Sequence, residues 1–318
     1  MSDHSLVTLL QLFGIGDFTE FSSYEEMAAR EKFVSEINPA LSRPAKVIGP
    51  YQLSEEHPCG LSTCHQGNKK GLLVLTESGV ETPIGHQCGG REFGADWKEL
   101  QRQAQRSSKI RADVEIILAA RRNISALRAD IQALRDAPRG AHWLYWKLDA
   151  FEKDAPSSLL KELRERARRG EYTVYLEKRI EGEGVDLRTV MAQSLMDKSQ
   201  KEEAADAPKK VRFERVSQGD LRGIEIFAKS IRQLVAVELT ERVSELERLD
   251  LLALNVREFS TWARRCEGLR GHLRDAQELC VRGCEFFQRG NFERLPLLRL
   301  PGQDGRAVLR LRKYFTEG

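Results

Sequence analysis

Apolar positions in this chain recur at two periods, and the change from one to the other divides it. Asp96 to about Ala137 contains no proline or glycine. Ile110, Val114, Ile117, Ile124, Leu127, Ile131 and Leu134 fall near alternating four- and three-residue spacing, interrupted by Arg121. The remaining faces carry Arg, Gln, Asp and Ser. So narrow a stripe predicts one helix roughly 60 Å long, suited to a coiled coil or a long bundle. Asp220 to about Leu249 reads as a further helix. Leu251 to Gln288 reads as another, striped by Leu252, Val256, Phe259, Ala263, Cys266, Leu269 or Leu273, Ala276, Leu279 and Cys280. The simplest assembly folds this return leg against 96–137 as an antiparallel intrachain coiled coil.

Shorter patterns fill the rest. Residues 5–13 form an apolar helix that Gly14 and Gly16 end. Ser23-Tyr24-Glu25-Glu26 is a capping box, and it opens a helix to about Ile37 that Asn38-Pro39 stops. Lys46–Leu53, Gly71–Thr76 and Val80–Ile84 read as strands, with a Glu77-Ser78-Gly79 turn between the last two. His142–Phe151 is the most aromatic stretch, a small core where the chain turns back. A helix capped by Ser157 or Ser158 runs to Arg169, and Gly170 ends it. Tyr172–Ile180 and Val211–Val216 alternate and can pair. Between them come a helix at Val185–Met196 and a polar loop at 197–210. Leu297–Leu300 and Ala307–Leu311 suggest a closing hairpin.

These elements give a mainly α fold. It has N-terminal helices (1–45), a β module (46–95), an outgoing stalk helix (96–138), an α+β insert (139–218), returning helices (219–290) and a C-terminal hairpin (291–318).

The chemistry concentrates in Cys59–Trp97, which holds three of the six cysteines and two of the six histidines. Cys59 and Cys64 form one close pair, His86 and Cys88 another, and glycines flank both. Zinc takes four tetrahedral nitrogen or sulfur ligands, usually as two such pairs. Glycine beside a ligand lets backbone amides approach the thiolates. The order of knuckle, hairpin, knuckle and helix resembles the zinc-ribbon and treble-clef class over about 40 residues. Cys59, Cys64, His86 and Cys88 are therefore the expected ligands of a structural Zn2+, with His65 or His57 as alternatives to His86. Zinc deaminases need a two-residue cysteine gap and an upstream His-x-Glu. Neither is present, and four protein ligands leave no open position. Cys266, Cys280 and Cys284 read as buried small hydrophobes.

Charge changes the picture little. The 51 basic and 48 acidic residues leave a net +3, which alone does not predict nucleic-acid binding. The insert can still gather Arg164, Arg168, Arg169, Lys178, Arg179, Lys209, Lys210 and Arg212, with Arg166 and Arg215, on one phosphate-binding surface. There is no GxxxxGK[ST] and no GxGxxG after a strand. No apolar run approaches the roughly 18 residues of a membrane span. The expectation is a cytoplasmic, non-enzymatic zinc and coiled-coil protein that binds DNA or RNA. The alternative is an adaptor or homo-oligomer that uses the stalk for protein partners.

Overall fold

The computed structural model describes residues 6–64, 66–180, 212–298, 300 and 304–314. The fold is mainly α, with a three-stranded antiparallel sheet and a two-stranded antiparallel ribbon. The chain divides into two compact units, residues 1–128 with 241–271 and residues 129–240 with 272–318.

The first unit is built on a sheet of order β1-β2-β3: β1 (Pro44–Pro58), β2 (Gly67–Thr76) and β3 (Glu81–Gly85). β2 lies in the middle and is buried on both faces. Leu72 and Val74 point to one side, where they join Ile84, Cys59, Cys88, Trp97 and Leu100. Leu73 points to the other, where it joins Phe21, Met27, Ile48, Tyr51 and Leu53. The period of two in the sequence thus becomes two half-cores.

One of the two expected N-terminal helices shortens here. The capping box at Ser23 forms as expected, but α2 (Tyr24–Ala28) has only five residues, where a helix to Ile37 was expected. The continuation is spent on the sheet. Val34 N–H donates to Glu81 O at 2.8 Å, and Ile37 N–H donates to Gly60 O at 2.8 Å. The Arg30 guanidinium reaches the buried Glu81 carboxylate at 2.5 Å. Long-range main-chain bonds and this ion pair outweigh local helix propensity. α1 (Leu6–Leu12) forms as expected and buries Leu9 and Leu10.

α3 (His86–Arg122) begins ten residues earlier than the expected Asp96. Gly94 kinks it at φ 53°, a conformation that only glycine adopts at little steric cost. The single helix expected to Ala137 instead breaks at Asn123, whose side-chain amide donates to Ala119 O at 2.8 Å. α4 (Ile124–Asp136) follows. Gly89 lies under the Trp97 indole, and a Cβ there would stand 2.3 Å from the ring. Trp97 is fully buried. We therefore expect Gly89→Ala to cost about 1–3 kcal/mol, as overpacking does, in urea unfolding. An unchanged midpoint would show that the ring moves freely.

The outgoing and returning helices meet in this unit through polar groups. Asp113, only 7% exposed, takes a hydrogen bond from Ser260 at 2.5 Å and pairs with Lys109 at 3.0 Å. Ser260 lies on α8 (Val256–Phe286), inside which the division between units falls. α7 (Arg242–Arg248) precedes it. The helix expected from Asp220 is shorter than the sequence suggests. Asp220 ends a strand, Ile224–Phe227 is a 3-10 turn, and Gln233–Glu241 winds as a π-helix. Thr240 Oγ1 donates to Val235 O at 2.8 Å, five residues back, in keeping with the wider turn.

The second unit contains α5 (Ala141–Asp154), α6 (Ser157–Arg169), the ribbon β4 (Thr173–Ile180) with β5 (Arg212–Asp220), the later part of α8, and α9 (Arg289–Arg294). Its core is aromatic. Phe151 meets Phe286, Phe287 and Phe292 edge-on, with ring centroids 5.4–6.1 Å apart. Buried Asn291 is fully used: it accepts from Arg222 N–H at 3.0 Å and donates to Arg222 O and Phe286 O. The expected C-terminal hairpin is absent from the described residues. Asp304–Arg310 is a helix, α10, followed by a 3-10 turn. A short apolar run such as Ala307-Val308-Leu309 fits either period, and burial of Val308 decided for helix. The helix expected at 185–196 and the loop at 197–210 lie outside the described residues.

Candidate metal centre

β1 ends at Pro58, and the chain turns at once. Cys59 N–H donates to Gln66 O at 2.9 Å and Cys64 N–H to Leu61 O at 2.9 Å, which closes a tight knuckle. Gly60 is forced here, since a Cβ would stand 2.1 Å from Thr82 Oγ1. The hairpin of β2 and β3 then returns the chain to the knuckle, and β3 runs straight into α3. Cys88 lies in the first turn of α3. The sulfur atoms of Cys59, Cys64 and Cys88 all lie within 4.8 Å of one another. Tetrahedral zinc with bonds of about 2.3 Å sets its sulfurs roughly 3.8 Å apart, so the three could hold one ion once Cys64 and Cys88, 3.0 Å apart here, separate.

The three thiols differ. Cys59 and Cys88 are 2% and 1% exposed, whereas Cys64 is half-buried. Burial pushes the Cys59 thiol up, against the amides of Gly85 and Leu61 that favour its thiolate. Burial, with the Cys64 and Cys59 sulfurs beside it, pushes Cys88 up to about 12. At Cys64 burial also acts upward, but the Cys88 thiol, the Gln66 amide and the Arg91 guanidinium together outweigh it, and the thiol is held below its ordinary value. Two of the three groups therefore keep their protons unless a cation displaces them.

Around the sulfurs lie Arg91 Nη2, 3.3 Å from Cys64 Sγ, and Asn68 Nδ2, 3.7 Å from Cys88 Sγ. Sequence reasoning missed both. Arg91 follows Cys88 by three residues, one turn along the same helix face. A helix expected to begin at Asp96 could not place it there.

Of the expected ligands, three come together and His86 does not. Its Nδ1 is 3.1 Å from Gln101 Nε2 at the exposed side of α3. The reason is rotational. His86 and Cys88 both lie on the helix, where a step of two residues turns about 200° and points them apart. His57 stacks on Tyr24, with ring centroids 4.3 Å apart, and also lies outside the cluster. His65 falls outside the described residues. Cys266, Cys280 and Cys284 form no metal-ligating group among the described residues, and burial pushes Cys266 and Cys280 up to about 11.

The basic residues gather less well. Arg164 pairs with Glu152 at 2.8 Å, Arg166 with Glu162 at 2.6 Å, and Arg215 with Glu177 at 3.6 Å. Arg168, Arg169 and Lys178 are exposed and form no ion pair among the described residues. Arg168 and Arg169 close α6, where cations also complement the helix dipole. Arg179 and Arg212 belong to the ribbon, but their side chains are outside the described residues, as are Lys209 and Lys210 entirely.

Among the described residues, no helix is long and apolar enough to cross a membrane. No protein-family model, curated protein or solved structure matches this chain.

Proposed function

We propose that this chain is a non-enzymatic binding protein whose β module is locked to its long helix by a structural zinc ion. The observation that carries this reading is the convergence of Cys59 and Cys64, from the knuckle after β1, with Cys88, from the first turn of α3, onto one point. Soft thiolates select zinc among the common divalent ions. They supply three of its four bonds, and the fourth donor is not among the described His, Cys, Asp and Glu groups. The arrangement knuckle, hairpin and helix, with a ligand in the helix's first turn, supports a treble-clef-like module. Such thiolates suit a reducing compartment such as the cytoplasm.

On this reading the helices are the scaffold, and the tie from Asp113 to Ser260 supports pairing of the outgoing and returning legs. The ligand is DNA or RNA, contacted through phosphate by Arg168, Arg169 and Lys178. The experiment is fluorescence anisotropy of a labelled oligonucleotide titrated with the full chain at several salt concentrations. Binding that weakens steeply with salt is expected. Changing Arg168 and Arg169 together to Glu is expected to weaken it at least tenfold, at about 0.7 kcal/mol or more for each charge. Binding that is undetectable at low salt would remove nucleic acid from the proposal.

One observation favours a second reading, a protein adaptor or homo-oligomer. The β4–β5 ribbon exposes Tyr175, Leu176 and Val216, and Leu176 and Val216 are direct cross-strand partners. On that reading Leu176→Asp abolishes self-association or partner binding, and high salt does not.

A further inference from the structure

The three sulfurs are not equivalent, and their differences single out two of them. The Cys64 and Cys88 sulfurs are 3.0 Å apart, nearer than one ion bonding both would set them. Cys64 is the one thiol of the three with solvent access, and its sulfur accepts from the Arg91 guanidinium. Cys88 lies behind it and is closed to solvent. An exposed sulfur beside a cation, with a second sulfur in reach, is the arrangement that a hydroperoxide oxidises selectively.

We propose that Cys64 and Cys88 are a peroxide-oxidised pair, so that the centre exists either reduced and metal-loaded or disulfide-bonded and metal-free. The Cys64 sulfur attacks the terminal oxygen of a hydroperoxide. An S–O bond forms, the O–O bond breaks, and the departing oxygen leaves as water or an alcohol with the Cys64 proton. Arg91 donates to that oxygen as it gains charge. The Cys88 sulfur then attacks the Cys64 sulfur. An S–S bond forms, the S–O bond breaks, and hydroxide leaves as water with the Cys88 proton. Two electrons pass from the two sulfurs to the peroxide. When both sulfurs start as metal-bound thiolates, solvent supplies the two protons.

The last step needs the sulfurs to close by roughly 1 Å, a shift within reach of a side-chain rotation at Cys64 on its loop. Closure removes two of three metal bonds, and Cys59 alone cannot hold the ion. The release step rests on the zinc reading above, whereas the disulfide does not.

The test treats the full chain, as purified, with hydrogen peroxide in stoichiometric steps. Three quantities are followed: intact mass after alkylation, the cross-linked peptide, and free zinc with a chromogenic chelator. The expected result is a Cys64–Cys88 cross-link that appears in step with one zinc released per chain, both reversed by dithiothreitol and added zinc. A cross-link in a chain that never held zinc supports the pair and sinks the zinc reading alone. Zinc released without a cross-link, a cross-link to Cys59, or Cys64 carried to sulfinic acid overturns the proposal. Arg91→Ala is expected to slow cross-linking roughly tenfold, the effect of losing one charge-assisted hydrogen bond. An unchanged rate removes Arg91 from the mechanism.

Discussion

Cys88→Ser is expected to abolish metal binding and to unfold the β module of the first unit. On the zinc reading Cys88 is the ligand that would tie the helix to the sheet, since Cys59 and Cys64 both belong to the knuckle after β1. Serine keeps the volume but offers a hard, neutral oxygen that zinc does not retain against water. Structural zinc contributes on the order of 10 kcal/mol at neutral pH, comparable with the whole stability of a domain. The apolar side chains joined to this cluster, Leu72, Val74, Ile84 and Trp97, then lose the element that closes over them. Plasma emission spectrometry is expected to find no zinc in the variant and one ion per chain in the parent. Circular dichroism is expected to show a melt lower by tens of degrees, or none. Cys284→Ser is the control, because Cys284 is half-buried and outside the cluster. If Cys88→Ser keeps its zinc and melts with the parent, the centre is not structural.

Phe151→Ala is expected to cost about 3–5 kcal/mol, the range for deleting a buried aromatic ring. Its ring is fully buried and touches Phe227, Phe286, Phe287, Phe292 and Tyr314. These neighbours come from four further stretches of chain, so no single one can relax to refill the space. The edge-to-face geometry adds to the loss, because each such pair contributes about 0.5–1.5 kcal/mol beyond area burial. Urea unfolding is followed by tryptophan fluorescence, to which Trp143, packed on Phe287 at 5.9 Å, contributes from this unit. Trp146→Ala is the comparison. Trp146 is 64% exposed, and its removal is expected to cost no more than about 0.5 kcal/mol. A cost below 1 kcal/mol for Phe151→Ala would show that the aromatic cluster is not the unit's core.

The same aromatic stretch shows how far the sequence could be read. His142–Phe151 is a small core in part: Leu144 and Phe151 are fully buried and Trp146 is not. Composition marked the cluster, but only the helical phase of α5 sorted its members. The candidate centre divides in the same way. Three cysteines in a glycine-rich stretch around two strands were enough to place a cysteine cluster that could hold a metal ion. The fourth expected ligand, His86, failed because the start of α3 was misplaced by ten residues. Gly89, Gly90 and Gly94 made that segment look like loop, and the packing of Trp97 on Gly89 holds it as helix instead.

By itself the sequence determined the features written in local chemistry. These are the capping box at Ser23, the hairpin through Ser78-Gly79, the apolar stripes of α3, α4 and α8, the C-terminal stop at Gly170, and the cysteines that converge. Each depends on side chains within a few residues of one another, where spacing alone fixes the geometry. The tertiary structure decided the rest: the early end of α2, the helix at 304–310, and the spending of Arg164 and Arg215 on carboxylates. In each case the deciding partner is remote in sequence or held by a fold that spacing does not show. Main-chain groups at 32–37 bond to Glu81 and Gly60, and Arg164 pairs with Glu152 across a turn. A local pattern states what a segment prefers, and burial and long-range hydrogen bonds, each contributing about 1 kcal/mol or more, settle which preference is met.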